Sequence, residues 1–405
     1  MAVVGLRGTG DFGVDERPKN FRELILFRNP NGSAPLTALM AKMKKEAVND
    51  PEFSWWEEEH NAVRLQVNGV ITTVTHTTVI VDVGDAEDLV IGDLLLVEKT
   101  ETTSYDNELI EVTSIINTTT FLVSRGAAGS TAAAIANDSF LTRIGNVFEE
   151  GAGAPDATTT NPSKYSNFTQ IFKTAYRITE TAKATNFRTG DPLKNDKIRK
   201  MFQHSAVLEF SSLLGRPHEA TGGGGKAKRY TGGLLHFLSQ AYANGATHCM
   251  RIWTTTPTED EFLDAVYKVW DYETDTGGGN ERLVLAGNGF LNSLNKLARD
   301  SASTRINFEG TVKVYGMELQ KWVLPQGTLY VRTAPLMNTH ARFTYSAFVI
   351  NPSAIRYRPL VGRDTKEMNN IQANDADEQK GQWLTEMGLE FHHLTTMCYL
   401  GNFVK

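Results

Sequence analysis

A chain of 405 residues is roughly two to three times the usual length of one domain, so it holds several cores or one core with a large insertion. Its 41 Lys+Arg against 47 Asp+Glu leave a net charge of −6, which excludes a surface basic throughout for gripping nucleic acid. A 40% hydrophobic content excludes global disorder, and two cysteines without CxxC spacing, Cys249 and Cys398, exclude a disulfide framework and a Cys-based zinc site.

Met1 to Gly13 lacks the apolar core of a secretion signal, and no run reaches the ~18 consecutive apolar residues of a membrane-spanning helix. The next segment predicts one short helix. Ser33 caps it, Pro35 sits in its first turn, and Leu36, Leu39, Met40 and Met43 form a stripe at spacings of three and four. A lone helix flanked by extended chain cannot build a core, so this arm is expected to lie on another part of the protein or on a neighbouring molecule. Phe53, Trp55 and Trp56 look like its anchor, just ahead of Glu57-Glu58-Glu59.

Between about Leu65 and Phe148 short apolar runs (Val79 to Val81, Leu94 to Val97, Ile110 to Ile116, Phe121 to Val123) alternate with Gly, Asp, Asn and Thr turns, which predicts a small all-β module. Residues 61–160 carry four basic and fourteen acidic side chains, a net −10 against +4 for the remainder. Gly151 to Asn161 forms a flexible exit. From Asp191 a long helix is legible. Asp191 caps it, Pro192 opens it, Ile198, Phe202, Ala206, Phe210 and Leu213 are its expected buried stripe, and Gly215-Arg216-Pro217 ends it after about 35 Å. Lys194, Lys197, Arg199 and Lys200 form a basic face near its start, solvated or turned to a negatively charged partner. After the Gly222 to Gly225 break, a capping box at Thr258 and Glu261 and a strand at Leu283 to Ala286 predict a mixed α/β stretch. Strands are expected at Val312 to Tyr315, Thr328 to Arg332, Thr344 to Ile350 and Trp383 to Leu394.

Motifs for chemistry are weak. Gly8 to Gly13 has GxGxxG spacing without the strand and helix a dinucleotide cradle needs. Gly222 to Gly225 with Lys226 departs from a phosphate loop at Ala220 and Ala227 and reads as a mobile loop, and Gly287-Asn288-Gly289 reads as the tight start of a helix. His392 and His393, adjacent in an expected strand, point to opposite faces and cannot share a metal, and His204 lacks a second ligand one turn on. Asp85, Glu87, Asp88 and Asp93 fit no calcium loop and are expected to face water. No catalytic residue, cofactor site or metal site is assigned, and an enzyme is not expected.

The order of parts is more informative than any motif: extended arm, β-rich excursion, long helix, α/β stretch, returning strands. Together with Phe53 to Trp55, Gly92 to Leu95 followed by Ser124 to Gly126, Asn167 to Lys173, Ile178 to Ala182, Tyr230 to Leu234 and Leu384 to Glu390, it resembles the major capsid protein of tailed bacteriophages with the Hong Kong 97-type fold. Within that group it is similar to a branch with a β-barrel-like module inserted in the E-loop. The likeness runs over nearly the whole chain. It implies an α+β fold with an N-terminal arm (1–55), an E-loop (56–165) carrying the module at about 65–148, a peripheral domain (166–230) with a spine helix (191–214), an axial domain (231–345) and returning strands (346–405). It also implies a virion subunit, assembled in the bacterial host cytoplasm, forming hexamers and pentamers of an icosahedral shell around double-stranded DNA. Portal, a possible decoration protein and, for a chain opening at Met1, a separate scaffolding protein are the implied partners. Some relatives crosslink an E-loop Lys to an Asn; Lys99, the only Lys between 61 and 160, lacks a visible glutamate partner, so no crosslink is expected. Leu36, Leu39, Met40, Met43, Phe53, Trp55 and Trp56 are then the candidate inter-subunit contacts. The alternative is a soluble binding protein using the Thr-rich β module for carbohydrate or a host receptor.

Overall fold

The computed structural model describes residues 43–405 apart from 59–63, 83–85, 99–107, 156, 158–160, 186, 188–189, 273–278, 301–307 and 315–316. The chain divides into two units, one of residues 1–55 with 166–405 and one of residues 56–165. Leu36, Leu39, Met40 and Lys99 lie outside the described residues. No helix among the described residues is long and apolar enough to cross a membrane.

Strand β1 (Glu52–Glu57) leads out of the first unit. The second unit then builds one antiparallel sheet from β2 (Arg64–Gln66), β3 (Thr78–Ile80), β4 (Asp93–Val97), β5 (Leu109–Asn117), β6 (Thr120–Ser124) and β7 (Phe140–Asn146). Its order is β2-β7-β4-β5-β6-β3. Val67 and Val81, just beyond the two outer strands, bridge antiparallel, with Asn68 N donating to Ile80 O at 2.8 Å and Asp82 N to Gln66 O at 3.0 Å. The sheet thereby closes on itself and loses its edges, as a small barrel does. Alternation decides what fills it: β4 reads buried, half-buried, buried, half-buried, buried, and Leu65, Val79, Leu95, Ile110, Phe121 and Leu141 face inward.

The returning strand β8 (Ser163–Phe168) pairs with β1. Next come β9 (Gln170–Thr179), the short helix α1 (Glu180–Ala184) and the long helix α2 (Pro192–Leu214). Asp191 caps α2 by accepting from Leu193 N (2.9 Å) and Lys194 N (3.3 Å), and Pro192 opens it, as its sequence predicts. Gly215 ends it where a Cβ would lie 2.4 Å from Thr231 O and 2.5 Å from Ser211 O, too close for any side chain. The expected stripe needs correction. The buried residues are His204, Leu208, Glu209, Ser212 and Leu213, while Ile198 is 59% exposed. Steps of four residues overshoot a 3.6-residue turn, so a row from Ile198 to Phe210 walks around the helix instead of holding one face.

The glycine run Gly222 to Gly225 is the turn of a hairpin between β10 (His218–Thr221) and β11 (Ala227–Tyr230), where the sequence suggests only a loop. Helix α3 (Leu234–Ala243), β12 (Met250–Ile252) and helix α4 (Glu259–Val266) follow, and α4 carries both bonds of the Thr258/Glu261 capping box. Then come β13 (Glu281–Ala286), α5 (Asn288–Asp300), β14 (Phe308–Val314), β15 (Met317–Val323), β16 (Thr328–Thr333) and β17 (Ala347–Ile350). With the last strand, β21 (Cys398–Gly401), these strands form a mixed sheet ordered β12-β21-β17-β13-β16-β15-β14. Its core is aromatic: Phe262 stacks on Trp322 at 5.1 Å, and Phe290 and Phe403 approach to 4.7 Å.

A second sheet of this unit is organised by the long β20 (Glu378–Phe391), which pairs antiparallel with β9, with β18 (Ile355–Pro359) and with β19 (Lys366–Met368). β20 ends at Phe391, and His393 adopts a left-handed conformation at φ 49°, so the two histidines follow the strand, correcting the expected strand through Leu394.

Candidate assembly surfaces

Every exposed arm must first be tied down. Lys45 and Val48 bridge parallel to Tyr357 and Leu360, with Glu46 N donating to Tyr357 O at 3.0 Å and Val48 N to Pro359 O at 2.9 Å. Charge reinforces this register: Lys45 pairs with Asp364, and Arg358 joins Glu46 (2.9 Å) to the buried Glu390, which His392 also meets at 2.8 Å. Burial alone would push the Glu390 carboxyl up, but His392 and Arg358 outweigh it and hold it below the ordinary range. Of the candidate contacts, Met43 is buried at the described start of this segment. β1 alternates, so Phe53 and Trp55 turn inward and Trp56 outward, 62% exposed. Trp55 packs on Phe237 (5.9 Å) and His392 (6.1 Å), and Phe53 lies against Gly388. Phe53 and Trp55 are therefore anchors covered by their own chain rather than open apolar surface for a neighbour, and Trp56 retains that openness.

The basic face of α2 is partly occupied. Lys197 pairs with Glu367 at 2.9 Å and lies 5.4 Å from the Tyr176 ring. Its hydrogen bond to Glu367 pushes its pKa up, and Lys197 and the Tyr176 hydroxyl hold Glu367 below the usual carboxylate range. Lys200 Nζ donates to Gln203 at 3.0 Å, whereas Lys194 and Arg199 are exposed. Around them Ile198, Met201 and Val207 are each more than half exposed.

What holds these surfaces in place is a set of buried polar groups that the sequence did not single out for that role. The Asn167 amide donates to Gly232 O (3.1 Å) and Leu389 O (2.7 Å) and accepts from Gly232 N (2.7 Å) and Phe168 N (2.8 Å), which joins β8, the start of α3 and β20. His204 bridges the hydroxyls of Thr174 (3.0 Å) and Thr385 (2.8 Å), fixing α2 on β9 and β20, and burial lowers its pKa. Arg363 pairs with the buried Glu386.

The second unit buries charge too. Glu108 accepts from Arg125 Nε (2.6 Å) and Nη2 (2.7 Å), Gly126 N (3.2 Å) and Ala133 N (3.1 Å). Asp93, expected to face water, is fully buried, meets Arg143 at 2.9 Å and accepts from Val90 N at 2.7 Å. Its outer surface is apolar as well as acidic, with Ile91, Ile116, Ile144, Val147 and Phe148 between 43% and 58% exposed.

The chain is 25% identical over 353 residues, 87% of its length and 81% of the relative's, to a major capsid protein of Pseudomonas phage PaMx41. The chain belongs to the SU10 major capsid protein family, which matches residues 7–403. It is a phage major capsid protein, a structural component of the virion. Solved structures with similarity include the capsid of an empty GTA particle (9% identity, 96% of each chain, TM-score 0.45), Mycobacterium phage Bobi (9%, 95% of each, 0.44) and the capsid of Myoviridae phage XM1 (9%, 95% of this chain and 96% of that one, 0.42).

Proposed function

We propose that this capsid protein builds an icosahedral head of Hong Kong 97 type around packaged double-stranded DNA, as hexamers and pentamers of one chain and without catalytic activity of its own. In this reading residues 1–55 are the arm, the barrel unit is a module carried in the E-loop (56–165), α2 is the spine helix of the peripheral domain (166–230), and the sheet containing β13 belongs to the axial domain (231–345) completed by the returning strands (346–405). A separate scaffolding protein, a portal and a decoration protein are its proposed partners, and assembly takes place in the host cytoplasm.

The observation that supports the reading is the set of exposed apolar side chains on each unit, Ile198, Met201 and Val207 on α2 and Ile91, Val147 and Phe148 on the barrel unit. Lys45 and Val48 are bridged to their own subunit, and this reading gives residues 1–42 the role of reaching a neighbour. Many weak contacts of that kind, multiplied by closed symmetry, make a stable shell from subunits that pair poorly. Deleting residues 1–42 while keeping the 44–48 bridges tests it. Folded subunits that sediment without shells are expected; shells of normal size and yield from the truncated chain would overturn the role given to the arm.

A further inference from the structure

The β10–β11 hairpin has no core of its own. Residues 216–230 include Arg216, Lys226, Lys228 and Arg229 against the single acid Glu219, and apart from the half-buried Gly222 the glycine turn and Lys226 to Lys228 are exposed. A two-stranded hairpin is marginal in water without something packed on it. Its base is braced by His218 stacked on Tyr230 at 6.1 Å, and there a shallow open cavity of about 370 Å³ is lined by Gln170, Ser211, Arg216, His218, Tyr230 and Thr231. Thr231 is 2% exposed and its hydroxyl has no hydrogen-bond partner among the described residues.

The barrel unit offers charge of the opposite sign beside exposed apolar side chains. Ile91, Val147 and Phe148 adjoin one another around Gly92: Val147 N donates to Gly92 O at 2.8 Å, and the Phe148 ring lies against the Gly92 α-carbon. They are 53%, 45% and 43% exposed, and the exposed pair Glu149-Glu150 follows directly, in a segment of net charge −10. Exposed apolar side chains beside carboxylates match in chemistry a cavity lined by His218 and Tyr230 and flanked by cations.

We propose that the base of the β10–β11 hairpin is a socket for a second copy of this chain, receiving the Phe148 ring of that copy's barrel unit in the cavity and Glu149 and Glu150 against Arg216, Lys228 and Arg229. The proposal rests on the shell reading above and specifies one of its contacts. Glu149, Glu150, Arg216 and Lys228 are exposed, whereas Arg229 is half-buried and pairs with Glu219 at 3.4 Å, so thermal melting of each variant, with Lys228→Glu alone as a control, checks that the subunits stay folded.

The test compares shell yield, by sedimentation and electron microscopy, for the wild type, Glu149→Arg/Glu150→Arg, Lys228→Glu/Arg229→Glu and the combination of all four in one chain. Loss of shells in each double variant and their partial return in the quadruple variant are expected, because every copy then carries the acidic surface reversed and two of its three cationic partners reversed, Arg216 being unchanged. Wild-type yields in either double variant, or no recovery in the quadruple one, would overturn the socket while shells of the wild type leave the shell reading standing. Shells of normal yield that lose only packaged DNA on Lys228→Glu/Arg229→Glu would overturn it too, by assigning the hairpin to phosphate. A wild type that forms no shells with scaffolding protein present would overturn the shell reading first.

Discussion

Replacing Arg125 with Met should loosen the barrel unit far more than the loss of a solvent-exposed charge would. The Arg125 side chain is 5% exposed and Glu108 1%, and two of the four donors to the Glu108 carboxylate belong to that guanidinium. Removing it leaves a buried carboxylate with the amides of Gly126 and Ala133 alone, a change of the kind that costs about 3–5 kcal/mol. At about 1.4 kcal/mol per decade this is a hundred- to several-thousand-fold loss of protection for the amides of β5 and β6, read by hydrogen exchange of the intact chain at pH 7. The pH dependence has a definite sign. Burial by itself raises the Glu108 pKa, and Arg125 with the two backbone donors reverses this to a net lowering. In the wild type the contribution is present above the unfolded carboxyl value of about 4.3 and is lost as pH falls through the lower folded value. In Arg125→Met burial prevails, Glu108 takes up a proton earlier, and the deficit shrinks on acidification. Adding Glu108→Gln to Arg125→Met removes the stranded charge and should restore part of the protection. Unchanged protection in Arg125→Met at pH 7, or a deficit that grows as pH falls, would refute the reasoning.

His204 supplies a second titration. Its folded pKa is lowered by burial, so the stability tied to its neutral form is present above the unfolded value of about 6.5 and is lost as pH falls through the folded value; urea unfolding of His204→Gln should have a flatter profile below pH 6.5 than the wild type. Gly388→Ala should cost about 1–3 kcal/mol, because the new Cβ would stand 2.7 Å from the Phe53 ring and 2.8 Å from Phe168 O, and limited proteolysis should then cut sooner around residues 43–55.

The elements set by local chemistry were legible in the sequence: the cap and Pro192 of α2, the Thr258/Glu261 box, the alternating strands of the barrel unit. Contacts set by distant partners were not. Nothing local to Asn167 marks it as a strut; its partner Leu389 lies 222 residues on. The burial of Glu386 and Glu390 in their strand rests on Arg363 for the first and on Arg358 and His392 for the second, contacts that spacing along the strand does not reveal. The paired tryptophans after Phe53 were legible as an anchor, but their division into a buried Trp55 and an open Trp56 depends on which face of β1 meets Phe237. The inward face of α2 escaped a reading by spacing because its helix buries a histidine, a glutamate and a serine along with two leucines.

Cryo-electron microscopy of the chain expressed with its scaffolding protein addresses the central claim most directly. Closed shells whose subunits lay the segment before Met43 across a neighbouring copy are the predicted result. Isolated subunits under every salt condition, with that segment folded back onto its own chain, would contradict it.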